Sequence, residues 1–242
     1  MAAHSNDRDL RWVGKPVPRI DGEPKVRGCA TYVHDMASCG MLFARIKTSP
    51  HASARIARVD VSEAEKVPGV HAVLVGADLP YKVGLYMIDK SILARDVVRY
   101  HGEAVAAVAA ETELAAEQAC ERIRIDYEPL PAVLDPQAAL APDAPLVHPG
   151  LGDYGWMKGV FFPRPGTNVA HHQKIRKGDV EAGFREADRV FEHAFSNPAV
   201  QHAFLETHTA IVQALPDGRV EIVSSAQSPY TVRQLFSVCF GI

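Results

Sequence analysis

The chain has 242 residues, of which 47% are hydrophobic, 23% are charged and 7% are aromatic, and its formal net charge is −3. This composition excludes a disordered chain, and no apolar run approaches the ~20 residues that a membrane-spanning helix needs. The negative net charge does not favour binding to nucleic acid. The first twenty residues are polar and lack the apolar segment of a secretory signal, so we expect a cytoplasmic protein.

The first part of the chain combines irregular segments with short predicted elements. Residues 1–20 are interpreted as an N-terminal tail and lead-in, because glycine, proline and charged residues accumulate there. Ser62 and Glu65 have the spacing of a capping box, which predicts a short helix within Asp60–Val67. The other predictions here are strands over Met41–Thr48 and Ala72–Val75 and a loop over Tyr81–Ser91.

The clearest pattern is the run AVAAVAA that follows Gly102. Small apolar residues without alternation are typical of a central strand covered closely by helices. Thr112 then caps a predicted helix, Leu114–Arg122, whose apolar stripe consists of Leu114, Ala115, Gln118 and Ala119. The next segment, IRIDYE, alternates apolar and charged residues, as a strand with one buried face does. These elements predict an α+β domain over residues 21–135.

The remaining residues divide into a connector and a second α+β region. Residues 136–165 are rich in proline and glycine but contain aromatic residues, so we interpret them as a connector packed on a protein surface. Residues 166–242 are interpreted as the incomplete first part of a second domain. Its predicted elements are a helix over Val180–Ala187 capped by Asp179, strands over Val190–Phe195, Ala203–Leu215 and Val220–Ser224, a hairpin turn at Leu215–Arg219, and a helix over Tyr230–Phe240 that begins at Pro229.

The four cysteines, at positions 29, 39, 120 and 239, are too scattered for a disulfide framework, a zinc site or an iron–sulfur cluster. We interpret them as buried, unreactive thiols. If the function is redox chemistry, its electron carriers therefore have to lie on other chains.

Three polar side chains stand out in the apolar segment around Ala203–Leu215. In an extended strand, His202, Glu206 and His208 project to the same face. Two histidines and a carboxylate are the ligand set of mononuclear iron enzymes. Residues so spread along a strand reach one ion only if the chain bends, so surface or hydrogen-bonded histidines remain the other interpretation.

Two common catalytic motifs are absent from the sequence. It contains neither a Gly-x-Ser-x-Gly elbow nor a Gly-x-x-x-x-Gly-Lys phosphate loop. Hydrolase and nucleotidase hypotheses therefore have no motif to support them.

A wider similarity runs through nearly the whole chain in the segments VGKPVPRIDGEPKVRGCATYVHD, ILARDVVRYHGEAVAAVAAETELAAEQACERIRIDYEPLPAVLDP, NVAHHQKIRKGDVEAGFREADRVFEHAF and QHAFLETHTAIVQALPDGRVEIVSSAQSPYTVRQLF. In this order they resemble the N-terminal part of the molybdenum-binding large subunit of the xanthine dehydrogenase and aldehyde oxidase family. The resemblance implies a hammerhead-like α/β domain at 21–135, followed by the beginning of a molybdopterin-binding α+β domain at 166–242.

The resemblance also implies site residues. By its position in SSAQSP, Gln227 matches the glutamine that family members place beside molybdenum, where its amide donates a hydrogen bond, and it should border a concave surface. Glu206, in FLETH, matches a position that orients the chain near the cofactor. The catalytic glutamate and most pterin contacts are expected beyond Ile242. We therefore expect no catalytic residue and no metal ligand within this chain, and an inactive isolated chain.

The implied reaction is oxidative hydroxylation of an N-heterocycle, such as a purine, or of an aldehyde, with water as the oxygen source. The implied cofactors are molybdenum–molybdopterin, completed by residues outside this chain, and 2Fe-2S and FAD groups on partner chains. The implied partners are an iron–sulfur subunit, an FAD subunit, the remainder of the large subunit and a small-molecule substrate, without nucleic acid or membrane.

Two alternatives stay open. One is a catalytically incompetent fragment or scaffold subunit, which predicts an exposed apolar surface from Ala203 to Ser224. The other is the mononuclear non-haem iron enzyme.

Overall fold

The structure is a computed structural model that describes residues 11–241, so the first ten residues of the predicted tail lie outside the described residues. The described residues form two compact units, one of residues 11–37 and 200–227, and a larger one of residues 38–199 and 228–241. The helices and strands are α1 Gly22–Val26, β1 Phe43–Thr48, β2 Ala54–Asp60, β3 Val70–Val75, β4 Lys82–Val83, β5 Lys90–Ser91, β6 Val97–Val98, β7 Ala104–Ala110, α2 Glu113–Arg122, β8 Arg124–Pro129, α3 Val180–Glu186, β9 Ala210–Ala214, β10 Val220–Ser224 and α4 Pro229–Phe240. Short 3₁₀ turns lie at Val33–Asp35, Ala138–Leu140 and Leu151–Asp153. Within residues 11–241, no helix has the length and apolar character needed to cross a membrane.

Strand β7 is the centre of the larger unit's core. It pairs antiparallel with β1 on one side and with β3 on the other. Val105 packs with Val98 of β6 on one face, whereas Val108 packs with Ala119 of α2 on the other. Both faces of the strand are covered, which explains why it is apolar throughout. The predicted central strand is confirmed.

Helix α2 packs on this sheet through small side chains. Its buried residues are Ala115, Ala116, Ala119 and Cys120. Leu114, predicted on the apolar stripe, is 63% exposed, and Gln118 is exposed as well. The helix is therefore confirmed but its predicted stripe is wrong at these two positions, because the close approach to the alanines of β7 accommodates alanine rather than larger side chains.

The N-terminus of α2 gives a first testable prediction. The side-chain oxygen of Thr112 accepts a hydrogen bond from the Ala115 backbone N–H at 3.1 Å. Thr112→Ala leaves this donor without its partner and is expected to lower the free energy of unfolding by about 1 kcal/mol in urea denaturation. Thr112→Ser keeps the acceptor and should retain most of that stability. Equal losses in the two variants would contradict the assignment of this cap.

A second antiparallel sheet has the order β6-β2-β8. Ile125 and Tyr127 of β8 pack against the cluster that contains Val105, whereas the charged residues of β8 at positions 124, 126 and 128 are exposed. Burial raises the pKa of the Tyr127 phenol. The predicted strand with one buried face is confirmed, and its bounds are Arg124–Pro129.

Two local predictions in this unit are wrong. The helix expected within Asp60–Val67 is a series of turns. The Ser62 hydroxyl donates to the Asp60 carboxylate at 2.7 Å, so this serine is engaged with a residue before it instead of capping a helix. The segment Tyr81–Ser91, predicted as a loop, contains the paired two-residue strands β4 and β5.

The proline- and glycine-rich residues 136–165 belong to the larger unit and pack against other segments of it. The Phe161 ring stacks on Tyr86, with centroids 6.1 Å apart. The backbone N–H of Ile88 donates to the Gly155 carbonyl at 2.7 Å, and Leu151 is only 3% exposed. These contacts agree with a connector packed on a protein surface, while its boundaries at 136 and 165 stay a prediction.

The last part of the chain has fewer regular elements than the sequence predicts. Helix α3 forms, and the Asp179 carboxylate accepts from the Ala182 backbone N–H at 2.9 Å, as expected for the cap. Val190–Phe195 is irregular and exposed instead of a strand. Within residues 11–241 no strand pairs with it, and an unpaired strand leaves its backbone hydrogen bonds unmade. Helix α4 is confirmed and begins at Pro229.

The cysteines are all free, but only Cys120 and Cys239 are buried. Burial raises the pKa of the Cys120 thiol, which makes it less reactive. Cys29 and Cys39 are exposed. The prediction of buried thiols is therefore wrong for these two, which lie in irregular chain where small residues need not face a core.

Candidate functional site

The candidate site is built on the hairpin of β9 and β10. Val220 pairs with Ala214 next to the turn. In the turn, Gly218 has φ +85°, a conformation that favours glycine. Asp217 accepts from the backbone and the side chain of Arg219 at 3.1 and 2.7 Å, which holds the pKa of its carboxyl below the usual value. The predicted turn and the strand Val220–Ser224 are confirmed.

The open end of the hairpin is held by Ser225. Its hydroxyl accepts from the Thr209 backbone N–H at 3.3 Å and donates to the Thr207 carbonyl at 3.2 Å. Its own backbone N–H donates to the Thr209 carbonyl at 3.3 Å. Sequence reasoning missed this residue, although a serine directly after an apolar strand was a usable signal. Ser225 thus ties together the chain that follows Glu206 and the chain that precedes Gln227.

The two predicted site residues differ in exposure. Glu206 is half-buried and Gln227 is exposed. Among residues 11–241, neither side chain has a hydrogen-bond partner. The concave surface expected beside Gln227 and the roles of both residues stay predictions.

The side chains of Gln227 and Glu206 have the hydrogen-bonding groups needed beside a bound polar group. The free amide of Gln227 has two N–H donors, which suit an oxygen acceptor. The carboxylate of Glu206 can accept a hydrogen bond from a neighbouring polar group.

The strand face proposed for His202, Glu206 and His208 does not form. The strand predicted over Ala203–Leu215 is wrong before Ala210, where β9 begins: Ala203 has φ +48°, in the left-handed region, and the chain bends at residues 205–206. The His208 ring lies 4.5 Å from the Phe204 ring, which accounts for its position without a metal. Within the described part of the chain, no cluster of three His, Cys, Asp or Glu side chains is arranged to hold a metal ion.

Several apolar side chains of the smaller unit are exposed. Leu205 is 91% exposed and Val200 is 77% exposed. Phe204 and two hairpin residues, Val212 and Val223, are also exposed. Val212 and Val223 lie on opposite faces of the hairpin, because Val212 is opposite Ile222 and Val223 is opposite Ile211. Exposed apolar side chains are suited to packing against additional protein. The exposed surface that the scaffold alternative predicts is present.

Two family models match the chain. The model described as "Aldehyde oxidase and xanthine dehydrogenase, a/b hammerhead domain" matches residues 27–131. The model described as "Molybdopterin cofactor-binding domain" matches residues 161–242, which include both Glu206 and Gln227.

Curated relatives and solved structures agree with these matches. A probable xanthine dehydrogenase subunit of Bacillus subtilis is 34% identical over 226 residues, which are 93% of this chain and 28% of that protein. The nicotinate dehydrogenase large molybdopterin subunit of Eubacterium barkeri is 32% identical over 92% of this chain and 49% of its own length. The crystal structure of quinoline 2-oxidoreductase from Pseudomonas putida has a TM-score of 0.77 and 28% identity, covering 95% of this chain and 29% of that one. The chain thus spans less than half the length of these relatives.

Proposed function

Because the chain belongs to the xanthine dehydrogenase and aldehyde oxidase family, we propose that it acts as the N-terminal portion of a molybdenum hydroxylase large subunit. The predicted α+β fold, a hammerhead domain followed by the beginning of a molybdopterin-binding domain, is confirmed by the matches. The proposed reaction is oxidative hydroxylation of an N-heterocycle or an aldehyde with water as the oxygen source.

The observation that carries the proposal is the molybdopterin cofactor-binding match over residues 161–242. The matched segment contains a hairpin whose open end is fixed by Ser225 and leads directly to an unpartnered glutamine amide. When bound, the molybdenum–molybdopterin group supplies the two-electron oxidation and the activation of water.

Within this cofactor site we assign positioning roles to the residues of this chain. Gln227 donates a hydrogen bond from its amide to an oxygen of the cofactor. Glu206 accepts a hydrogen bond and orients the chain before β9. We place the catalytic base outside this chain, so catalysis requires the remainder of the large subunit. That remainder is also proposed to cover Val200, Leu205 and the exposed hairpin side chains.

The wider assembly is part of the same proposal. An iron–sulfur subunit carrying 2Fe-2S and a subunit carrying FAD receive the electrons, in keeping with free and dispersed cysteines here. The domain boundaries proposed are 21–135 and 166–242, joined by the connector 136–165, and the family models at 27–131 and 161–242 support them. A cytoplasmic location stays a prediction.

Neither alternative explains the observations better. The exposed apolar surface of the scaffold hypothesis is equally expected for a domain that packs against further protein. The iron hypothesis requires the strand face of His202, Glu206 and His208, which the irregular chain and the bend at residues 205–206 do not provide.

The reaction class is tested by isotope labelling. The chain is assembled with the remainder of the large subunit and its partner subunits and supplied with N-heterocycles and aldehydes in ¹⁸O-labelled water. We expect the label in the hydroxylated product, measured by mass spectrometry. A product labelled from ¹⁸O₂ instead of water would rule out this reaction class.

A further inference from the structure

A cavity of about 130 Å³ in the larger unit is lined by several basic side chains. These belong to Lys82 at β4, Arg95 and Arg99, and the lining contains one acidic residue, Asp96. Ser91 contributes a hydroxyl group. The lining residues carry three positive charges against one negative charge, and the Glu103 carboxylate, which accepts from the Arg99 backbone N–H, is not among them.

The three basic side chains are not neutralised by ion pairs within residues 11–241. Arg99 is half-buried, and two backbone carbonyls fix its guanidinium: Nε donates to Val147 at 3.1 Å and Nη1 donates to Val97 at 3.3 Å. Carbonyl oxygens orient the guanidinium without cancelling its charge, and its Nη2 group remains available. The Arg95 side chain is exposed and makes no hydrogen bond among the described residues.

Lys82 is also held in place by neighbours without a negative charge. Its ammonium lies 4.4 Å from the centroid of the Tyr154 ring. The Tyr154 hydroxyl is in turn 3.1 Å from Nδ1 of His148. Burial and the charge of Arg99 lower the pKa of His148. The charge of Lys82 also lowers this pKa, whereas the charge of Asp89 raises it.

We propose that this cavity binds a phosphate-class oxyanion, a ligand that goes beyond the proposed function. A divalent anion can contact several cations at once: the Arg95 guanidinium can offer paired N–H donors to two oxygens of a tetrahedral oxyanion, and Arg99 can offer its Nη2 group. The volume of about 130 Å³ admits a compact ion and is many times that needed by a single water molecule. The Ser91 hydroxyl supplies a neutral donor.

The test titrates inorganic phosphate into the full chain by isothermal calorimetry. Saturable binding is expected, and Arg95→Gln and Lys82→Gln should each weaken it by about tenfold. The matched control is Lys66→Gln, which removes a surface lysine of the same unit that pairs with Glu63 and lines none of the three cavities. The control should bind phosphate as the parent chain does.

Folding of the variants is checked by their melting temperatures without phosphate. That of Arg95→Gln should match the parent, because Arg95 makes no hydrogen bond within residues 11–241.

Glycerol phosphate is titrated in parallel: tighter binding than that of inorganic phosphate assigns the site to a phosphoryl group on a larger molecule, and weaker binding assigns it to the free ion. No saturable binding of either compound, or equal weakening in Arg95→Gln and Lys66→Gln, would overturn the proposal. Because the assay needs no molybdenum, its failure leaves the proposed function untouched.

Discussion

Gln227→Ala in the assembled enzyme is expected to lower kcat by about 10- to 100-fold, the usual effect of removing a hydrogen bond that orients a metal site. The hairpin should remain folded, because Gln227 lies beyond the last paired residue, Ser224, and makes no hydrogen bond within residues 11–241. KM should change little, since the amide is assigned to the cofactor and not to the substrate. Steady-state kinetics with normalisation to bound molybdenum measures both quantities.

The matched control for this variant is Gln213→Ala. Gln213 is an exposed glutamine on β9 of the same hairpin, paired with Glu221. This control should leave kcat unchanged. If Gln227→Ala and Gln213→Ala behave alike, Gln227 has no role beside the cofactor.

Gly76→Ala is expected to destabilise the larger unit by about 3 kcal/mol. A Cβ atom at Gly76 would lie 2.4 Å from the Ala94 carbonyl oxygen, which is backbone and not a flexible side chain. Ala94 is 4% exposed and its N–H donates to the Ala104 carbonyl at 2.7 Å, so it cannot move without disturbing the start of β7. The expected fall in melting temperature is roughly 6–12 °C.

Gly183→Ala provides the comparison for this glycine. Gly183 lies within α3 of the same unit, and a Cβ atom added there would meet no other atom within 4 Å. Alanine there should maintain or slightly raise stability, because it has the higher helix propensity. Similar melting temperatures for the two variants would contradict the close backbone approach at Gly76.

The elements that the sequence predicted well are those whose local pattern and tertiary environment agree. The run Ala104–Ala110 is apolar because both of its faces are covered. The turn is formed by the hydrogen bond that Asp217 accepts and by the positive φ of Gly218. Such features depend on near neighbours in the chain.

The failures occur where distant contacts or a single backbone angle decide the structure. The apolar segment before β9 has strand composition, but it is irregular: Ala203 has φ +48° and the chain bends at residues 205–206. Val190–Phe195 also has strand composition and finds no pairing partner among residues 11–241. Composition alone carries neither fact, because β propensity depends on the neighbours that a strand acquires.

The sequence predicts Gln227 and Glu206 as site residues, which stays a prediction, but it does not predict the hydrogen bonds that hold the hairpin between them. The resemblance to the family identified Gln227 and Glu206 as candidates. The hydrogen bonds of Ser225 to Thr207 and Thr209 form only when β9 and β10 are paired. The basic cavity was equally invisible in the sequence, because Lys82 and Arg99 are 17 positions apart and meet only through the fold.

The most direct test of the central claim is the molybdenum and pterin content of a complex purified through an affinity tag on this chain. The chain is co-produced with the remainder of the large subunit and the iron–sulfur and FAD subunits, in cells supplied with molybdate. We predict that molybdenum, measured by mass spectrometry, and molybdopterin, measured by the fluorescence of its oxidised form, accompany the chain in equal amounts. A complex that assembles through this chain but contains neither molybdenum nor pterin would contradict the account.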